Sequence, residues 1–215
     1  MIARLHHITQ NHSGLSHTEQ ARRACAGGVR WVQVRVKDTP YDEWLRVCAE
    51  VKYICDSYGA VCIVNDNVDI AKAIDAHGVH LGKSDMTIEE ARNILGHNKI
   101  IGGSSNTIED IKYLAQTSVD YIGLGPYKFT YTKTNLNPVL GAAGISALIQ
   151  QMNLLNISLP VIAIGGITLS DVDNVSSTGV HGIAISSAIN LASDSGEAAS
   201  AFILKIQTHA TITHS

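Results

Sequence analysis

The sequence predicts an α/β protein folded as a single (β/α)8 barrel, and three observations carry that prediction. Eight short apolar runs rich in Val and Ile recur along the chain. Segments with helical spacing separate most of them, and no Gly-rich dinucleotide fingerprint marks the turns between strand and helix. The length of 215 residues falls within the roughly 200–250 that such a barrel fills as one domain. Near-continuous apolar strands joined by crossover helices must pair in parallel and lie buried on both faces. A closed barrel achieves this without leaving an edge; a doubly wound open sheet is the competing arrangement. Residues 1–208 are read as one domain and His209–Ser215 as a polar, flexible tail.

Composition narrows the function. With 45% hydrophobic and 16% charged residues and a formal charge of −3, the chain carries no broad positive field of the kind nucleic acid or anionic membranes require. Any anion site must be local. Cys25, Cys48, Cys55 and Cys62 show neither zinc-ligand spacing nor a disulfide framework, so they read as buried thiols in a reducing compartment. Met1–Gln10 has no basic region leading into a long apolar run, and a cytoplasmic enzyme is expected. A homo-oligomer is left open.

The strands, taken in order, place polar residues at their carboxyl ends, where barrels of this class form their sites. The first candidate is Leu5–Thr9 and the second Trp31–Val36. Alternation through Gln33, Arg35 and Lys37 turns two cations and an amide to one side, and burying those charges without an anion would be costly. Tyr41–Ser57 then places Trp44, Val47, Cys48, Val51 and Ile54 on one helical face. The third strand, Val61–Asn65, ends in Asn65-Asp66; the fourth, Gly78–Gly82, contains His80 and leads to Asp85. His80 reads as a packing or hydrogen-bonded residue. Asp66 and Asp85 either cap the following helices or together hold Mg²⁺, which takes one or two carboxylates and completes its shell with water and phosphate oxygens.

The fifth strand, Ile100–Ser104, has small residues at Gly102, Gly103 and Ser104 that let a ligand approach, and Asn106–Ala115 follows with helical spacing. Tyr121–Gly125 is the sixth strand. The loop after it, Pro126–Gly141, exceeds the usual ~2–6 residue connection and reads as an active-site flap carrying Thr130, Tyr131, Thr132 and Lys133. The seventh and eighth strands, Pro160–Gly166 and Gly182–Ser187, end in Gly165-Gly166 and Ser186-Ser187, which offer backbone amides to a second phosphate.

Gln33-x-Arg35-x-Lys37, Asn65-Asp66, His80-Leu81-Gly82-x-x-Asp85, Gly102-x-Ser104, Gly123-Leu124-Gly125-Pro126, Thr130-x-Thr132-Lys133 and Ile164–Ile167 occur together and in order. The set resembles the thiamine phosphate synthase family from about Trp31 to Ile189. The resemblance implies that Gln33, Arg35, Lys37, Asn65, Ser104 and Lys133 hold a pyrimidine pyrophosphate, and that Asp66 and Asp85 bind Mg²⁺. It further implies that Thr130, Tyr131, Thr132, Gly166, Ser186 and Ser187 hold a thiazole phosphate. No protein nucleophile is implied; Arg35, Lys37 and Lys133 act electrostatically on a dissociative displacement of pyrophosphate. The sequence departs from the family pattern at His6-His7-Ile8-Thr9-Gln10, so no catalytic role is assigned to the first strand. It departs again at Gly103, Ser105, Tyr131 and Ser186. A thiazole-phosphate isomerase of the same fold and a noncatalytic phosphate-ligand sensor are the rival functions.

Overall fold

The computed structural model describes residues 1–12, 14–130 and 138–212. Eight strands, β1 (Leu5–Ile8), β2 (Trp31–Val34), β3 (Val61–Asn65), β4 (Gly78–Leu81), β5 (Ile100–Ser105), β6 (Tyr121–Leu124), β7 (Val161–Ile164) and β8 (Gly182–Ile185), alternate with helices. All neighbours are parallel, and β8 returns to β1 through Leu5↔Ile183 and His7↔Ile185, closing the barrel. The predicted (β/α)8 architecture is the one observed. Among the described residues, no helix is long and apolar enough to cross a membrane.

Alternation along the strands produces two cores. Residues such as Val32, Val34, Val64, Ile122 and Ala163 point outward and pack under the helices. Ile8, Trp31, Ile63, Tyr121, Ile162 and Ala184 point inward and fill the barrel. His6 lies flat on Trp31 with ring centroids 4.2 Å apart, and Tyr121 meets both edge-on. Each such fully buried large side chain contributes on the order of 1.5–3 kcal/mol, and together they make a rigid floor beneath the strand ends.

Local chemistry explains where helices start. α1 (His17–Ala26) is capped by Ser16, which accepts the Glu19 N–H at 3.2 Å. α4 (Ile88–Leu95) and α5 (Ile108–Ala115) begin with capping boxes at Thr87 and Thr107. α3 (Val68–Ala73) is capped by Asn67, whose Oδ1 accepts the Ile70 N–H at 2.8 Å. Asp66 and Asp85 therefore cap neither helix. Asp66 has a left-handed backbone with φ 67°, and its side chain turns back toward β2.

Most strands end one or two residues short of the range read from sequence, β5 runs one residue longer, and two of the differences bear on the site and the tail. β2 stops at Val34 rather than Val36 because the Arg35 N–H goes to Thr9 Oγ1, at 3.1 Å, instead of a neighbouring strand. The last helix, α9 (Ser195–Ile212), runs through His209, so the first residues of the segment read as a tail are helical. α2 (Tyr41–Ser57) matches its predicted range.

Candidate active site

A cavity of about 590 Å³ opens at the carboxyl ends of the strands. Its floor is a hydrogen-bonded chain of side chains. His80 joins Tyr121 OH through Nδ1 at 3.0 Å and Ser104 Oγ through Nε2 at 2.9 Å. Burial pushes the same phenol above its ordinary pKa, and the nearby Gln33 amide on β2 pulls it back. Gly102 and Gly123 make the His80–Tyr121 contact possible: a Cβ on Gly102 would fall 2.2 Å from the Tyr121 ring, and one on Gly123 2.9 Å from His80. The small residues of β5 thus make room for protein rings, a role different from the ligand approach expected at Gly102, while Gly103 faces Leu114 in the outer core. His80 is hydrogen-bonded as read, and it ties Ser104 to Tyr121.

One wall is charged. Arg35 lines the cavity beside Gln33 and Ser104. Lys37 pairs with Asp66 across the β2–β3 gap, and Asn65 is buried at the end of β3, opposite His80 in the ladder. Asp85 accepts the Gly82 N–H at 2.6 Å. Burial first, and then the neighbouring Asp66 carboxylate, hold the Asp85 carboxyl above its ordinary range. Arg35 is depressed by burial and partly restored by Asp66 and Asp38. The sequence-predicted Gln33, Arg35, Lys37, Asn65, Asp66, Asp85 and Ser104 therefore gather on adjoining strand ends.

The other wall is built of backbone and hydroxyls. Gly165, Gly166, Ser186, Ser187 and Thr130 line it. A Cβ on Gly165 would sit 2.6 Å from Pro126, and one on Gly166 2.7 Å from the Phe129 carbonyl oxygen. The chain can pass here only as glycine. The stem of the β6 loop is fixed against this wall: Tyr127 N–H donates to Ile164 O at 2.8 Å and Lys128 N–H to Gly165 O at 2.9 Å. Lys128 Nζ also reaches Asp171 at 2.5 Å. Asn106 Nδ2 holds Gly125 O at 2.8 Å and Pro138 O at 3.2 Å, pinning both ends of the loop. Tyr131, Thr132 and Lys133 lie outside the described residues.

Sequence reading missed the contribution of β1. Gln10 Oε1 lies 3.0 Å from Ser186 Oγ and accepts from Ser187 Oγ at 3.3 Å. Ser186 Oγ also lies 2.9 Å from Ile8 O, so that hydroxyl faces the β1–β8 seam. Asn190 completes the seam, its Oδ1 accepting the His7 Nε2–H at 2.7 Å and its Nδ2 donating to Ile8 O at 2.9 Å. Burial, opposed by the Asn190 bond, lowers the His7 pKa to about 4. The only sequence signal for these contacts was the polar run Thr9-Gln10-Asn11 directly after an apolar strand.

Comparison with known proteins follows the same segments. Residues 5–189 match the family model described as thiamine monophosphate synthase. The thiamine-phosphate synthase of Phocaeicola vulgatus is 48% identical over 190 residues, spanning 88% of this chain and 91% of that protein. That of Bacteroides fragilis is 45% identical over 190 residues, spanning 88% and 93%. A solved structure of thiamine phosphate pyrophosphorylase from Pyrococcus furiosus superposes with a TM-score of 0.85 at 32% identity and covers 96% of both chains. Because the matched span includes all eight strand ends that build the cavity, the chain belongs to the thiamine monophosphate synthase family.

Proposed function

We propose that this chain is a transferase that joins 4-amino-2-methyl-5-hydroxymethylpyrimidine pyrophosphate to thiazole phosphate, giving thiamine phosphate and pyrophosphate. The observation that carries the reading is the pairing of unlike walls in one cavity, with Arg35 on one side and Gly166, Ser186 and Ser187 on the other. The charged wall suits a pyrophosphate; the amide and hydroxyl wall suits a phosphate monoester.

In this reading Gln33, Asn65 and Ser104 position the pyrimidine, and the His80–Tyr121 pair keeps Ser104 in register. The bond from the methylene carbon to the pyrophosphate oxygen breaks with its electron pair on oxygen. The thiazole ring nitrogen supplies the pair for the new C–N bond. No protein nucleophile is needed. Arg35, Lys37 and Lys133 neutralise the charge that grows on the leaving group, an effect for which a single preorganised donor is worth about 10²–10³ in rate. Thr130, Tyr131, Thr132, Gly166, Ser186 and Ser187 hold the thiazole phosphate. Closure of the site over the reacting atoms would exclude water.

The donor set fits a hard divalent cation. Asp66 and Asp85 lie close enough for one carboxylate to raise the other's proton affinity, which is the repulsion a cation between them relieves. Among the described residues no third His, Cys, Asp or Glu joins them, leaving room for water and phosphate oxygens as Mg²⁺ prefers. Asp66 and Asp85 would hold Mg²⁺, whose charge, when bound, offsets that of the pyrophosphate oxygens.

The test is a coupled assay of the purified protein with both substrates, with and without Mg²⁺, following pyrophosphate release and thiamine phosphate formation. Mg²⁺-dependent appearance of both products is expected. Interconversion of thiazole phosphate tautomers without either product would instead favour the isomerase, and ligand binding without turnover the sensor.

A further inference from the structure

The segment after β1 does something that the reaction reading leaves unexplained. Thr9, Asn11 and His17 touch neither each other's neighbours at random nor the cavity, whose lining includes none of them. Instead they grip the backbone of the loop that presents Arg35 and Lys37. The Arg35 N–H donates to Thr9 Oγ1 at 3.1 Å. Asn11 clamps Lys37 twice, donating from Nδ2 to its carbonyl oxygen at 2.7 Å and accepting its N–H at Oδ1 at 3.3 Å. His17 links the two grips, with Nδ1 2.7 Å from Thr9 Oγ1 and Nε2 3.1 Å from Asn11 Oδ1.

Donor and acceptor roles follow from these distances. Asn11 Oδ1 already accepts from Lys37 and has no hydrogen, so His17 must donate to it from Nε2. A neutral imidazole protonated at Nε2 has a bare Nδ1, which accepts the Thr9 hydroxyl hydrogen. That leaves the Thr9 oxygen lone pairs to accept the Arg35 N–H. One tautomer thus satisfies every group in the chain. Burial, and then the nearby Arg35 charge, lower the His17 pKa to about 4, which keeps the ring neutral.

We infer that Thr9, Asn11 and His17 are positioning residues that preset the cationic β2 loop for the pyrophosphate of the pyrimidine substrate. β2 has ended by Arg35, so no strand ladder holds this loop, and the clamp supplies the order the ladder would have supplied. Preorganisation of this kind lowers the ordering cost that binding must otherwise meet. The inference rests on the functional reading above and names which part of the chain tunes one of its two substrate arms.

Thr9→Val removes the hydroxyl with little change of shape, Thr9→Ser keeps it, and Asn11→Ala removes the Lys37 clamp at an exposed position where folding is not at stake. Binding of inorganic pyrophosphate in the presence of Mg²⁺, measured by titration calorimetry, and the KM values of both substrates are the readouts. Losing one such hydrogen bond predicts about five- to tenfold weaker pyrophosphate binding and a matching rise in KM for the pyrimidine pyrophosphate in Thr9→Val and Asn11→Ala. The thiazole phosphate KM should stay within about twofold, and Thr9→Ser should behave as wild type. Unchanged pyrophosphate binding in both variants, or an equal rise in both KM values with a lowered Tm, would overturn the inference. Failure of the wild-type protein itself to bind pyrophosphate would overturn the functional reading beneath it.

Discussion

The two walls of the cavity are made by opposite means. On the β2–β4 side, the functional atoms sit at the tips of charged side chains: Arg35, the Lys37–Asp66 pair and Asp85. Their positions depend on what braces the side chains and the loop beneath them. On the β7–β8 side no charged side chain among the described residues lines the cavity; the surface is backbone at Gly165 and Gly166 and the Ser186–Ser187 turn. There the geometry is set by steric necessity, since a Cβ at either glycine would collide with the β6 loop stem. A wall of charges is sensitive to deletion and to salt. A wall of backbone is sensitive to addition.

The sharpest way to break that contrast is to delete a charge. Arg35→Ala is expected to lower kcat/KM for the pyrimidine pyrophosphate by about 10²–10³, while the thiazole phosphate KM moves less than about twofold. Two-substrate steady-state kinetics reads both numbers, and parallel losses would show that the walls do not divide the substrates. The reverse experiment adds a methyl group. Gly166 has φ 62°, and a Cβ there meets Phe129 O at 2.7 Å and Lys128 Cβ at 3.0 Å. Gly166→Ala should therefore weaken thiazole phosphate binding by roughly tenfold, through about 1–2 kcal/mol of left-handed backbone strain and displacement of the loop stem. The pyrimidine pyrophosphate KM should change little. A Gly166→Ala protein with unaltered thiazole phosphate KM would remove that glycine from the site.

The contrast also explains what was legible in the sequence. All eight strands announced themselves, because a strand buried on both faces is a near-continuous run of apolar residues whatever surrounds it. Side chains that act through charge, such as Arg35, Lys37 and the Asp66 and Asp85 carboxylates, were visible as polar residues at strand ends. Their alternative reading as helix caps fails because Asn67 and Thr87, one and two residues further on, take those positions. The extension of β2 to Val36 followed the alternating pattern, and what ends the strand is a hydroxyl 26 residues earlier in the chain. The same separation hid the clamp of Thr9, Asn11 and His17, since no local pattern records which distant backbone a polar side chain will hold. The β5 glycines were visible as small residues, but only the fold reveals that Tyr121 and His80 occupy the space they leave.

The smallest expected effect distinguishes a carboxylate kept for function from one kept for stability. Asp85 is held above its ordinary range by burial and then by Asp66, against the pull of the Gly82 N–H. An acid whose pKa is higher in the folded chain than in the unfolded chain binds its proton more tightly when folded. Stability is therefore greatest below the unfolded pKa and falls as pH rises through the folded value, so at neutral pH the ionised Asp85 costs the ligand-free protein stability. Asp85→Asn removes that charge and keeps an oxygen that can accept the Gly82 N–H. It should raise the Tm of the ligand-free protein at pH 7 slightly, and the gain should vanish at low pH, where Asp85 is protonated in both states. The same substitution should weaken Mg²⁺ affinity by at least about tenfold, read from the metal dependence of thiamine phosphate formation. A lowered Tm together with an unchanged Mg²⁺ titration would mark Asp85 as a structural brace like Asp171, whose carboxylate binds Lys128 and the Thr168 N–H, and would leave the charged wall without one half of its metal pair.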